Sequence, residues 1–296
     1  MQFSIIVPVF NEAPLIRRFL AHLRERAPGA EIIVADGNGR GLPDTESRYP
    51  QVRWLKALGA TVFQLRALGM AAAKGDIVAV TEDHCRVTPG WCRQILRAHR
   101  EWPAAAVIGG AVENGATEHL GDWANFFISN GAFLLPIPTG EREDVTGQAN
   151  ISYKRRVLPA AYPAIGMVEA HYKQLLRERG EKLVNDDRIV VEHVQSLGFL
   201  GSCLIHYHDG RCTAGFHLPC VSRRTWLFQL AKGLALPVRV LIDSLRITLR
   251  IALCKPHHRS HALASAPLIA VLLCFHAAGE FVGYLTGPGS SPSQLR

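Results

Sequence analysis

Apolar positions in the first third of the chain follow two periods in alternation. Residues 3–9 (FSIIVPV), 31–35 (EIIVA) and 77–80 (IVAV) are apolar runs rich in β-branched side chains, the pattern of strands buried on both faces. Between the first two, Leu15, Ile16, Phe19, Leu20 and Leu23 recur at helical spacing. Pro14 fits the first turn of that helix, and Pro28-Gly29 ends it. Strand, helix and strand in so short a stretch predict a βαβ unit, hence a parallel sheet with a right-handed crossover.

The same reading carries forward. Residues 52–55 give a short strand, 64–74 (QLRALGMAAAK) a helix, 91–100 an amphipathic helix and 104–108 a strand, while 109–121 show no period that selects an element. Further on, 171–179 form a helix with Tyr172, Leu175 and Leu176 on one face, and 187–191 (DRIVV) form a strand.

The C-terminal quarter is different material. Lys232, Arg239, Asp243, Arg246 and Arg250 line one helical face, and Leu227, Leu230, Leu234, Val238, Leu241, Leu245 and Leu249 line the other, with Pro237 dividing the stretch into two helices. Residues 262–285 are then mostly apolar, long enough at ~1.5 Å per residue to cross a ~30 Å hydrocarbon core. His276 and Glu280 interrupt this run and Pro267 sits near its start, so it either spans or enters and returns. Gly279, Gly283 and Gly287 allow close helix contact. A flexible tail, 287–296, follows.

Composition narrows the classes. With 296 residues, 48% of them hydrophobic, the chain can bury one large core or two modest ones. Residues 223–260 hold eight Lys and Arg against Asp243 alone, so they carry nearly all of the +8 net charge. A nucleic-acid footprint across the chain is therefore excluded, whereas a basic helix lying in lipid headgroups fits. Residues 1–10 show no basic start and no cleavage site, so no signal peptide is expected. Seven cysteines without a CxxC pair point to reduced thiols rather than a disulfide framework or a zinc site.

The chemistry gathers around residues 76–91, GDIVAVTEDHCRVTPGW. The buried run 77–80 leads straight into Glu82, Asp83 and His84, and ligands of open α/β sheets bind beyond the carboxyl ends of strands. Such a cluster can hold a divalent cation against a diphosphate; a solvated acidic turn is the competing reading. Asp36 closes the second strand, where it can accept hydrogen bonds from a ribose or base or simply cap a turn before Gly37. No G-x-G-x-x-G follows the first strand, where Phe10-Asn11-Glu12 stands instead, so this is not a dinucleotide fold.

Taken together, FSIIVPVFNE at 3–12, VADG at 34–37, RALGM with AKGD at 66–76, TPGW at 88–91 and GQANISYKR at 147–155 resemble the family 2 glycosyltransferases over residues 3–215. The resemblance implies a GT-A fold, an α/β architecture with a Rossmann-like, mixed and mostly parallel sheet flanked by helices. Here amphipathic and hydrophobic helices would follow it. It implies a nucleotide-sugar half at 1–110, an acceptor half at 111–220, basic interfacial helices at 221–260 and a hydrophobic membrane helix at 261–286. Pro8, Glu12 and Asp36 would border the nucleotide, and Arg66 and Arg211 would face its phosphates. Glu82, Asp83 and His84 stand where the family carries Asp-x-Asp, with His193 a further candidate ligand, for Mn²⁺ or Mg²⁺. Imidazole favours Mn²⁺ and later metals over Mg²⁺. Glu169, heading the 171–179 helix, would be the general base, with Asp186 or Asp187 next in line; an acid there also simply suits the helix dipole. The implied activity is inverting transfer of a sugar to an acceptor hydroxyl; the membrane segment alone suggests a lipid-linked or membrane-proximal acceptor, and the basic 223–260 stretch the cytosolic face of the membrane. Two rivals stand beside it: a nucleotidyltransferase, which wants a Gly-rich basic loop after the first strand, and a non-catalytic membrane-surface binding protein.

Overall fold

The computed structural model describes residues 1–10, 13–38, 42–217 and 236–295. They form two compact units, Met1–Gly115 with Phe133–Val194, and Ala116–Ala132 with Gln195–Leu295.

The first unit opens with β1 (Phe3–Val9), α1 (Ala13–Arg26) and β2 (Glu31–Asp36), the βαβ unit expected from the apolar periods. A short helix α2 (Pro43–Arg48), β3 (Arg53–Lys56), α3 (Val62–Ala72) and β4 (Ile77–Val80) follow. Strands β3, β2, β1 and β4 lie side by side and parallel, which is why every residue of β1 and β4 is buried. The chain leaves β1 toward β2 on one side and returns to β4 on the other. The carboxyl ends of β1 and β4 therefore flank a topological switch point, where such sheets bind ligands.

The other half of the sheet is mixed. It holds β5 (Cys85–Val87), α4 (Trp91–Glu101) and β6 (Ala105–Asn114). Beyond them come β7 (Gly140–Glu141), β8 (Ile151–Lys154), α6 (Glu169–Glu178) and β9 (Lys182–His193). The full order is β3-β2-β1-β4-β8-β6-β9-β5, with β8 antiparallel to both neighbours and β7 pairing with β9. The turn into α4 places Gly90 at φ 79°, a conformation glycine adopts without strain. Trp91, fully buried behind it, donates its indole N–H to Asn150 Oδ1 at 2.8 Å. Asn150 in turn donates to the carbonyls of Ala111 and Ile189 at 2.8 and 3.0 Å. That chain of bonds ties α4 to the loop before β8 and to β6 and β9.

The second unit is helical. It begins with α5 (Leu120–Ser129), a helix that the sequence reading did not assign, and continues with α7 (Gly198–His217), α8 (Leu236–Cys254) and α9 (Arg259–Thr286). The 195–217 stretch groups with the C-terminal helices. His206, His208 and Arg211 lie on α7. The glycines that hide this helix in the sequence are its packing surface. A Cβ at Gly210 would fall on the His276 carbonyl, and one at Gly279 on the Tyr207 carbonyl, so α7 and α9 touch backbone to backbone.

Helices α8 and α9 form a hairpin. Arg239 Nη1 meets Glu280 Oε2 at 2.6 Å, and Arg259 Nε donates to the Ala252 carbonyl at 3.2 Å. The expected basic face is therefore partly spent inside the unit, since Arg239 also pairs with Asp243. Val240, Ser244, Thr248 and Ile251 point inward on α8, while Val238, Leu241, Ile242, Leu245, Leu249 and Leu253 are exposed. This is the reverse of a water-facing helix. The proposed Lys232 contribution and the break at Pro237 concern a stretch most of which (221–235) lies outside the described residues.

Candidate active site

Asp36, the last residue of β2, sits beside Val9 in the sheet register and is buried. Its Oδ1 accepts the Asn38 N–H at 2.8 Å, while Oδ2 is buried with no hydrogen-bond partner among the described residues. Pro8 lies one step back on β1, opposite Ala35. Glu12 lies outside the described residues.

Beyond β4, Thr81 donates its hydroxyl to the Ala149 carbonyl at 3.0 Å, and the Cys85 N–H closes a turn on the Glu82 carbonyl at 3.0 Å. Strand β5 then pairs antiparallel with the end of β9, Cys85 opposite His193, and the Val194 N–H donates to the His84 carbonyl at 2.9 Å. This pairing brings together residues more than a hundred positions apart in the chain. His84 Nε2 lies 3.1 Å from His193 Nε2 and 3.3 Å from Glu82 Oε2, and His193 Nε2 lies 3.5 Å from the same oxygen. The three side chains could hold a metal ion. Asp83 stands apart from that meeting point and binds His84 Nδ1 at 3.1 Å. An acid on the far nitrogen of a ligating histidine fixes the tautomer that presents the other nitrogen.

The electrostatics of the cluster follow from its burial. Burial disfavours charge on Glu82, but bonds from His193 and His84 outweigh it and hold the carboxyl well below its usual range. Burial likewise opposes charge on His84, and Asp83 and Glu82 overcome it, pushing the ring up to about 10. His193 is shifted down, by burial and by the neighbouring His84.

Arg66, on α3, is 5% exposed and sets its Nη2 3.6 Å from Glu82 Oε1, with Nε unpartnered among the described residues. Its charge also acts on Glu169, the first residue of α6. The buried stripe of that helix is Glu169, Tyr172, Lys173 and Leu176, so an acid and a base occupy positions where apolar side chains are the rule. Burial raises the Glu169 carboxyl, and Lys173 and Arg66 pull back against it. Lys173 Nζ lies 3.4 Å from Glu169 and donates to Asp144 Oδ1 at 2.6 Å and to the Val145 carbonyl at 2.7 Å. The carboxylate rests against Gly147, where a Cβ would come 3.0 Å from Oε1.

Of the expected residues, Asp36, Arg66, His193 and Glu169 are buried in the first unit, and Glu82 and His84 are largely so. Two alternatives for the base are already engaged: Asp186 is clamped by Arg188 at 2.5 and 2.9 Å, and Asp187 accepts the Thr139 hydroxyl at 2.8 Å. Arg211 stands in the second unit, where its Nε donates to the Gly287 carbonyl at 3.1 Å beyond the end of α9. The sequence reading missed Lys173, Asp144 and Gly147. Only the spacing 169, 172, 173, 176 signals that Lys173 turns inward.

A mixed, mostly parallel sheet with this order and an acidic, histidine-bearing turn after β4 defines a GT-A fold. The description "Glycosyl transferase family 2" matches residues 4–159, more than half of the chain, and the protein belongs to that family. It is a glycosyltransferase. Among solved structures it is similar to a mannosyltransferase from Pyrobaculum calidifontis in complex with GDP-Man and Mn²⁺, at 14% identity and TM-score 0.51 over 96% of this chain and 87% of that one. It is also similar to residues 1–349 of TarS from S. aureus in complex with UDP, at 14% identity and TM-score 0.51, over 96% and 91%. No curated protein matches the sequence.

Proposed function

We propose that the protein transfers a sugar from a nucleotide-sugar donor to an acceptor hydroxyl with inversion at the anomeric carbon. The observation that carries this reading is the arrangement of Arg66, a buried cation beside Glu82 of the metal-type cluster that also acts on the buried acid Glu169. Asp36 Oδ2, buried and unpartnered among the described residues, would accept from the nucleoside, with Pro8 and Glu12 bordering it. A divalent cation held by Glu82, His84 and His193 would offset charge on the leaving diphosphate. The similar mannosyltransferase holds GDP-Man with Mn²⁺ and the TarS structure holds UDP, which supports a nucleotide-sugar donor here.

Glu169 takes the proton from the acceptor hydroxyl as its oxygen attacks the anomeric carbon. The new C–O bond forms opposite the breaking one, whose electron pair leaves with the nucleoside diphosphate. Arg66 meets that developing charge. Screening nucleotide sugars for thermal stabilisation in the presence of Mn²⁺ tests the donor class. A panel in which no nucleoside diphosphate sugar shifts the melt would contradict it.

Membrane association through the second unit is part of the same reading. The segment Pro256–Thr286 is long and apolar enough to cross a bilayer; its most apolar 18-residue window has mean hydropathy 1.9 and is 33% buried. Helix α8 turns its leucines outward with Arg246 and Arg250 exposed beside them, as a helix in the headgroup layer would. A lipid-linked acceptor and a cytosolic catalytic unit follow from that placement and from the basic 223–260 segment. Full-length protein is expected to stay with membranes through a high-salt wash and to need detergent, because apolar burial is not screened by salt. Recovery in the salt-washed soluble fraction would remove both the membrane and the lipid acceptor from the account.

A further inference from the structure

We infer that helices α8 and α9 lie flat in one leaflet of the bilayer, so that neither spans it and the whole chain stays on one side. The inference rests on the reading of the second unit as membrane-bound. It differs from both courses that the apolar run 262–285 suggests by itself, spanning or entering and returning.

The hairpin is the first ground. Arg239 meets Glu280 at one end and Arg259 reaches the Ala252 carbonyl at the other, so α8 and α9 run side by side and antiparallel. Whatever tilt one takes in the bilayer, the other shares. Helix α8 carries Arg239, Asp243, Arg246 and Arg250, and Arg246, next to the middle of the helix, has a side chain 73% exposed. An upright α9 would carry that arginine to hydrocarbon depth, where charged side chains are costly unless they face a bundle interior or a water-filled cavity.

Helix α7 adds a second obstacle. Its close approach to α9 runs from Tyr207 beside Gly279 to Gly215 beside Pro288, and His208, Asp209 and Arg211 lie on that stretch. His276 and Glu280, the polar interruptions of the apolar run, turn to Asp209 at 3.5 Å and to Arg239 at 2.6 Å. An upright α9 would take these partners into hydrocarbon with it.

The exposed faces are the third ground. On α9, Leu263, Pro267, Val271, Phe275 and Ala278 recur at threes and fours and are exposed, while Ala262, Ser265, Ile269, Leu272 and Ala277 are buried. The outward side is thus one apolar stripe along the helix. On α8, at ~100° per residue, exposed Leu241, Leu245 and Leu249 point the same way. Buried Val240, Ser244 and Thr248 lie to one side of them, and Arg239, Arg246 and Arg250 to the other. Leucines among acyl chains with guanidiniums reaching up to headgroup phosphates is the arrangement of a helix in the plane of the membrane.

The competing course is an upright α9 with residues 287–296 on the far side. Full-length protein with different peptide tags at its two ends, treated with protease in inverted membrane vesicles and in intact spheroplasts, separates the two. The expected result is that both tags are cut from the same side and both protected from the other. Tags cut from opposite sides would overturn the inference and leave membrane binding intact. Depth gives a second reading, from a nitroxide on one of the exposed thiols Cys254 and Cys274 in anionic liposomes. Cys220→Ser is combined with Cys274→Ser to label the first, and with Cys254→Ser to label the second. The two labels should report similar depths. An upright α9 would set the Cys274 label about 20 Å deeper, the rise from Arg259 to Cys274 at ~1.5 Å per residue, and would again overturn the inference. Protein that stays in the salt-washed soluble fraction and inserts into no liposome would remove the membrane-bound reading, and the inference with it.

Discussion

Glu169→Gln should keep donor affinity and lose transfer, by about 10²–10⁴-fold in kcat, the usual contribution of a general base. The substitution preserves the shape of the side chain beside Gly147 while replacing the carboxylate that would take the acceptor's proton. The carboxyl is raised by burial, so activity through it is lost on acidification at a pH above the ordinary glutamate value of about 4.3. The direction of a second change follows. Lys173 lowers that carboxyl through its charge, so Lys173→Met should move the acid limb of the pH–kcat profile to still higher pH. A Glu169→Gln enzyme with near-full turnover would move the base elsewhere. Asp186 and Asp187 offer little room for it, since Asp186 is bound to Arg188 and Asp187 to Thr139.

Arg66→Met is the second large effect. Its guanidinium is buried between Glu82, at 3.6 Å, and the field of Glu169, with Nε unpartnered among the described residues. Losing one preorganised donor to developing charge costs about 10²–10³-fold in kcat. A Lys in its place should rescue little, because an ammonium cannot present the planar fork and is more strongly hydrated. The acid limb should shift upward here as well, since Arg66 also holds the Glu169 carboxyl down. A variant with unchanged kcat and a changed pH profile would make Arg66 a neighbour of the base only.

The parts of the fold that the chain announces are those whose local pattern and tertiary fate agree. β1, β2 and β4 are buried on both faces, so an unbroken apolar run is both cause and signature. Glu82, Asp83 and His84 were legible because they interrupt such a run at its carboxyl end. β5 is three residues long and hidden inside the turn that follows, yet its pairing with β9 is what delivers His84 to His193. The start of β9 reads as polar because Asn185 and Asp186 are buried by partners and not by apolarity, Asp186 being fully covered and clamped by Arg188. Helix α7 carries glycines that argue against a helix in isolation; it forms because those glycines let α9 approach. Asp83 shows the limit of reading ligands by adjacency. Sequence sets it beside two donors, and only the fold turns it to the far side of His84.

The most direct measurement follows nucleoside diphosphate release from the donor identified by thermal shift, with full-length protein in detergent and Mn²⁺ present. The account predicts slow donor hydrolysis by the wild type, rising when a hydroxyl acceptor is supplied. It also predicts a sugar product of inverted anomeric configuration, and a Glu169→Gln protein that binds the donor without turning it over. Release of inorganic pyrophosphate or nucleoside monophosphate in place of the diphosphate, or a product of retained configuration, would contradict it.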